Sequence, residues 1–203
     1  MAVVRRYLLL VVLEWICATS LLLAQDNTPK YSNEFLNLGV GGRAMAMGNT
    51  QVAITEDVNS SYWNPAGLTD ITKKYEISLM HASYFAGIAN YDYIGFATPI
   101  DSLSHIGGSI IRFAVDDIPD TRYLYDANGA INYNNIRFFT AADYAFLVSY
   151  ARKFPKLKNL SLGGNFKIVH RRVGEFANAG GFGLDSGAKI ILKKWYLGAM
   201  FRD

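Results

Sequence analysis

From residue 75 to the end of the chain, apolar side chains recur at every second position, in runs of about ten residues separated by turns. A period of two is the signature of a strand with two unlike faces, and no helix can present it as one stripe. In the first run, residues 75–85, Tyr75, Ile77 and Leu79 alternate with Glu76, Ser78 and Met80. The second, residues 91–100, sets Asp92, Ile94, Phe96 and Thr98 against Tyr91, Tyr93, Gly95 and Ala97. A third covers residues 105–115, and a fourth, residues 138–152, places Tyr144, Phe146, Val148 and Tyr150 on one side. The fifth run opposes Leu160, Leu162, Phe166 and Ile168 to Ser161, Gly163, Asn165 and Lys167. Phe182, Leu184, Ala188 and Ile190 mark the apolar side of the sixth, and Trp195, Leu197, Ala199 and Phe201 that of the seventh. The chain is therefore expected to be all-β and antiparallel.

Such alternation suits a soluble sandwich as well as a membrane barrel. The polar side distinguishes them: it is rich in Gly, Ser and Asn with scattered charges, whereas Tyr, Phe and Trp gather near the ends of the apolar side. A crowded lumen and an interfacial aromatic girdle account for both features. Charged residues make up only 18% of the chain and aromatic residues 14%, which favours the barrel reading over a soluble α/β enzyme. Connections also alternate in length. Residues 101–104, 154–157 and 193–194 are short, and residues 86–90, 116–137 and 174–180 are longer, as in barrels whose short turns face the periplasm. Within the longest loop, Tyr123 to Tyr125 and Ile131 to Tyr133 flank Asn128-Gly129 as a hairpin candidate.

The start of the chain reads as a targeting segment. Arg5-Arg6 precede an apolar stretch, residues 7–23, and Ala24-Gln25 offers a cleavage point, so residues 1–24 are expected to be a signal peptide. Glu14 and the shortness of the stretch argue against a membrane anchor. Cys17, the one cysteine, falls inside it, and Ile16 before it does not suit lipidation. Loss of this segment takes the formal net charge from +3 to +2, because Arg5, Arg6 and Glu14 leave together. That is too little for a nucleic-acid footprint, and no nucleic acid is expected as a partner. Residues 25–34 form a polar leader.

Residues 35–68 differ from the rest. Gly39, Gly41, Gly42 and Gly48 sit among small or flexible apolar residues, and residues 57–63 can form one or two helical turns. Asn64-Pro65 should end that helix, and Pro65-Ala66-Gly67 should turn tightly. Gly39, Gly41 and Ala44 superficially fit a dinucleotide fingerprint, but the strand–loop–helix context is missing. Arg43, the lone charge among the glycines, would need a carboxylate if buried, with Glu56 and Asp57 nearest.

This stretch, from Gly39-Val40-Gly41-Gly42-Arg43 through Trp63-Asn64-Pro65-Ala66-Gly67, resembles the N-terminal signature of the PorV/PorQ group of bacterial outer-membrane proteins, distant relatives of the FadL transporters. Weaker similarity continues in residues 116–120, 139–144, 149–153 and 162–167. The resemblance implies a FadL-like transmembrane barrel, with residues 35–72 as an N-terminal hatch and residues 73–203 as the first seven strands of a longer barrel. It singles out Gly39, Gly41, Arg43, Gly48, Asp57, Trp63, Asn64, Pro65, Ala66 and Gly67 as family-motif positions. It further implies a location in the outer membrane, in contact with its lipid, and a part in type IX secretion. The expected partners are components of that system and the C-terminal sorting domains of its cargo, met by loops such as residues 116–137. The rival expectation is transport of hydrophobic small molecules.

No catalytic constellation is expected. His81, His105 and His170 lie in different runs without metal-ligand spacing, and no Ser-His-Asp order or carboxylate pair stands out. Asp126 reads as a turn residue rather than a calcium ligand. Asn59 and Asn159 match a glycosylation pattern that has no bearing in a bacterial host. No enzyme activity, metal or cofactor is expected.

Overall fold

The computed structural model describes residues 33–157 and 160–203. The signal-peptide reading, nearly all of the polar leader and Asn159 lie outside these residues. The chain divides into two compact units, residues 1–37 and 38–203. In the first, Glu34–Asn37 form a 3-10 turn in which Asn37 donates to Glu34 Oε2 at 3.0 Å.

The second unit is a curled, half-barrel antiparallel sheet of seven strands in sequence order. They are β1 (Glu76–Tyr84), β2 (Ala89–Pro99), β3 (Ser104–Asp120), β4 (Arg137–Phe154), β5 (Leu160–Val173), β6 (Ala177–Leu192) and β7 (Trp195–Phe201). All seven runs of alternation are strands. β1 and β7 are the edges, and they do not pair with each other among the described residues.

Two of the expected long loops are shorter than the sequence suggested. β3 continues to Asp120 and β4 starts at Arg137, so the connection is residues 121–136 rather than 116–137. The strand was hidden by its polar stretch, Asp116 to Asp120, and by a bulge in which Asp116 and Asp117 oppose Thr140. Asp117 takes a left-handed conformation, φ 57°, as bulges allow. β6 likewise starts at Ala177, so residues 174–180 shrink to a three-residue turn. In the remaining loop the hairpin candidate is reduced to one bridge, Tyr125 with Ile131, where Asp126 accepts from the N–H groups of Asn128 and Ala130.

The two faces reverse the usual distribution of side chains. Register places Leu79, Ile94, Ile110, Phe146, Ile168 and Phe182 in one row across six strands of the convex face. Ile77, Phe96, Gly108, Val148, Phe166 and Leu184 make the next row. These apolar side chains are open: Leu79 is 73% exposed, Phe182 79% and Leu184 66%. The concave face holds Lys167 at 3%, Asp185 at 5% and Lys189 at 2%. The segment before β1 covers Lys189, while Asp203 lies against Lys167 and Asp185.

That segment carries two short helices, α1 (Gly42–Ala46) and α2 (Ser60–Trp63), followed by a 3-10 stretch, Pro65–Asp70. Its Val58, Leu68 and Ile71 pack with Ala97 of β2 and Ala151 of β4 in an apolar cluster. No helix among the described residues is long and apolar enough to cross a membrane.

Candidate functional site

Residues 38–71 are seated on the concave face, and each motif residue has a definable task there. Gly39 and Gly41 have φ of 94° and 86°, where a side chain would strain the backbone. Their N–H groups donate to the Tyr62 hydroxyl at 3.2 Å and to Met80 Sδ of β1 at 3.2 Å. α1, which the glycine content concealed, follows directly. Gly48 closes it, donating to Met45 O at 3.1 Å. Arg43 does meet Glu56, at 3.8 Å, but both side chains are more than half exposed. Glu56 is thus the partner, and the pair sits in water rather than buried, where such pairs contribute ~0–1 kcal/mol.

Asp57 organises the start of α2, accepting from the backbone N–H of Asn59 at 2.9 Å and from its side chain at 3.2 Å. Trp63 donates from Nε1 to Val40 O at 2.9 Å, tying α2 to the entry of the segment. Asn64 then leaves the helix, φ −165°, as the residue before proline must. It is fully buried and uses both ends of its amide. Nδ2 donates to Val52 O at 2.8 Å and to Ala188 O of β6 at 3.1 Å, while Oδ1 accepts from Ala66 N at 3.1 Å. Pro65, Ala66 and Gly67 turn tightly, Gly67 N–H donating to Asn64 O at 2.9 Å, and the turn continues as the 3-10 stretch. A Cβ on Gly67 would lie 2.6 Å from Thr55 O, so no larger residue fits.

Close approach of the segment to the sheet falls largely on glycines of the strands. A Cβ on Gly163 of β5 would meet Ala66 N and Pro65 C at 2.6 Å, and one on Gly187 of β6 would collide with Asn64 Oδ1. Gly107 of β3 and Gly198 of β7 face Ser61 and Ala53 just as closely. Four strands thus leave a trough for this chain.

Polar contacts fix the segment in the trough. Lys189 donates to Thr55 O at 2.6 Å and pairs with Asp70 at 2.8 Å, which Lys153 also approaches at 3.6 Å. Thr69 and Ser161 share a hydrogen bond of 2.7 Å, and Asn165 donates to Ser61 O at 2.9 Å. His105, one of the three histidines, donates from Nε2 to Ile71 O at 3.0 Å. Lys167 and Asp185 pair at 3.0 Å, and Lys167 also reaches Asp203 O. Arg202 donates to Tyr62 O at 2.7 Å and lies over the Tyr62 ring. Burial pushes the Tyr62 hydroxyl above its ordinary pKa, with the Arg202 charge opposing. These strand partners escaped the sequence reading as a site. Their only signal was the mixture of Gly, Ser, Asn, Lys and Asp on one parity of β5 and β6.

His81 and His170 lie on the convex face, in one row with Asp92, Arg112 and Tyr144. Among the described residues no three His, Cys, Asp or Glu side chains gather as a metal site. Compared with protein-family models, curated proteins and solved structures, the chain matches none. What the geometry offers chemically is an apolar convex face, a charged concave face and a segment, residues 38–71, bonded to the concave face.

Proposed function

We propose that the chain is an outer-membrane β-barrel protein of the PorV/PorQ type that takes part in type IX secretion, binding or shuttling cargo at the outer membrane. In this reading residues 38–71 are the hatch. One observation carries the membrane part: the six-strand apolar rows are open while Lys167, Asp185 and Lys189 are buried on the other face. In water this arrangement would expose large contiguous apolar area against ~25 cal/mol per Å². In a bilayer it is the expected polarity of a barrel wall. The reading further requires that the free edges of β1 and β7 be paired, because open backbone edges are not tolerated in lipid.

Cargo binding is favoured over solute transport by what lies under the hatch. Ion pairs and hydrogen bonds to β5 and β6, together with the small apolar cluster of Val58, Leu68, Ile71, Ala97 and Ala151, tie residues 52–71 to the wall. The loop end, by contrast, exposes Tyr123, Tyr125, Ile131, Tyr133 and Phe138, an apolar surface that a sorting domain could cover. Fractionation followed by affinity capture of the protein from outer membranes tests the reading. Co-purified proteins bearing C-terminal sorting domains are the expected result. Recovery in the aqueous fraction would refute the membrane reading, and bound lipid-like solutes without a protein partner would replace secretion by transport.

A further inference from the structure

The convex face changes character abruptly at the end that carries the long loop. One row beyond Leu79, Ile94, Ile110, Phe146 and Ile168, the register aligns His81, Asp92, Arg112, Tyr144 and His170. Arg172, two residues further along β5, keeps the same pleat parity. A cleft of about 560 Å³ opens here between the end of β3, the 121–136 loop, the start of β4 and the β5–β6 turn. Its apolar wall is built from Phe139 and Phe176, whose rings meet edge to face at 4.9 Å.

The cleft is lined by four arginines and by the carboxylates Asp116, Asp120 and Glu175, with Asp92 beside it. Arg112 is held between Asp92 at 3.3 Å and Asp116 at 3.2 Å. Arg122 is spent on Asp120, with two or more charge-assisted bonds, and stacks on Phe176 at 4.2 Å. Arg137 and Arg172 line the same cleft; Arg137, on the opposite parity of β4 from Tyr144, stands across from Asp120 beyond ion-pair distance, and Arg172 has no carboxylate within that distance among the described residues. Arg172 gives only its Nε, to Gly174 O at 3.2 Å, so both terminal amino groups remain available. Glu175 is the one lining carboxylate outside these pairs. Two forked donors beside an aromatic wall, at the rim of an open apolar face, match an anion attached to an apolar body.

We propose that this cleft binds the phosphate of an outer-leaflet lipid headgroup, taken by Arg137 and Arg172, while the lipid's acyl chains lie along Ile110, Phe146 and Ile168. The inference rests on the membrane reading above, which sets the apolar rows against lipid and the long loop outside. Guanidinium groups bind a phosphate through paired N–H bonds.

The test uses the full chain purified in detergent, with affinity measured for an acylated glucosamine disaccharide carrying phosphates. The same glycolipid after dephosphorylation and inorganic phosphate alone are measured beside it. The phosphorylated glycolipid should bind at least about tenfold tighter than the dephosphorylated one, and the Arg137→Gln, Arg172→Gln double variant should lose about the same factor. Lys194→Gln, in the turn at the opposite end of the sheet, should bind like the parent. Equal binding of both glycolipids to the parent protein would overturn the proposal without any variant. Inorganic phosphate bound as tightly as the glycolipid would reduce the cleft to a free-anion site, and this too would overturn it. Flotation with vesicles separates the two levels of failure. A protein that inserts but does not distinguish the glycolipids refutes the cleft alone, and one that does not insert refutes the membrane reading.

Discussion

Removing the charge of Asp70 should loosen the seated segment more than any change on its exposed side. Asp70 meets Lys189 at 2.8 Å, and the Lys189 side chain is 2% exposed. Asp70→Asn preserves shape but leaves a buried ammonium whose other partner is a neutral carbonyl, Thr55 O at 2.6 Å. Stranding one member of a buried pair costs ~3–5 kcal/mol. The low end, ~3 kcal/mol, applies here, because Asp70 retains 17% exposure and Lys153, at 3.6 Å, is open enough to be solvated. Lys189→Met should cost less, since Lys153 still balances Asp70. The double variant should recover to within ~1 kcal/mol of the parent, giving a coupling of at least ~2 kcal/mol between the two sites. Urea unfolding in detergent micelles measures this, with Trp63 as reporter after Trp15 and Trp195 are replaced by Phe. Trp63 is buried and bonded to Val40 O, so its emission follows release of the segment. A cost below ~1 kcal/mol for Asp70→Asn, or simple additivity of the two changes, would refute the idea that buried charge holds residues 38–71 in place.

Gly163→Ala puts a methyl 2.6 Å from the backbone of Pro65 and Ala66, so a loss of ~1–3 kcal/mol is expected in the same unfolding assay. Gly181→Ala, whose new methyl would meet nothing within 4 Å, should be neutral. Leu184→Arg should reduce folding yield into vesicles and cost ~2–4 kcal/mol if the convex face lies in bilayer, whereas a water-facing position would tolerate it. The Asp101 carboxyl lies below its ordinary pKa because it accepts from the N–H of Leu103 at 2.7 Å and of Ser104 at 2.8 Å. With the folded pKa lowered, its contribution is present above the unfolded value and is lost as pH falls through the folded one. The protection of the Leu103 and Ser104 amides, taken relative to their intrinsic exchange rate at each pH, should therefore fall on acidification in the parent protein and stay level in Asp101→Asn.

The strands, their antiparallel order and their two unlike faces were written in the period-two alternation from residue 75, because each residue's face follows from its parity alone. So was the end of α2, since Asn64 precedes Pro65 and is barred from the helix. Tertiary structure decided what faced what. Gly163 and Gly187 gave no local sign that they clear a path for Asn64, Pro65 and Ala66, which lie about a hundred or more residues earlier in the chain. Lys189 and Asp70 looked like ordinary charges until the sheet curled and the segment covered them. Arg43 shows the reverse: whether it was buried could not be read from its neighbours in sequence, and in the fold it points to water. Alternation sets the side of a sheet on which a residue lies, but burial depends on which distant chain closes over that side.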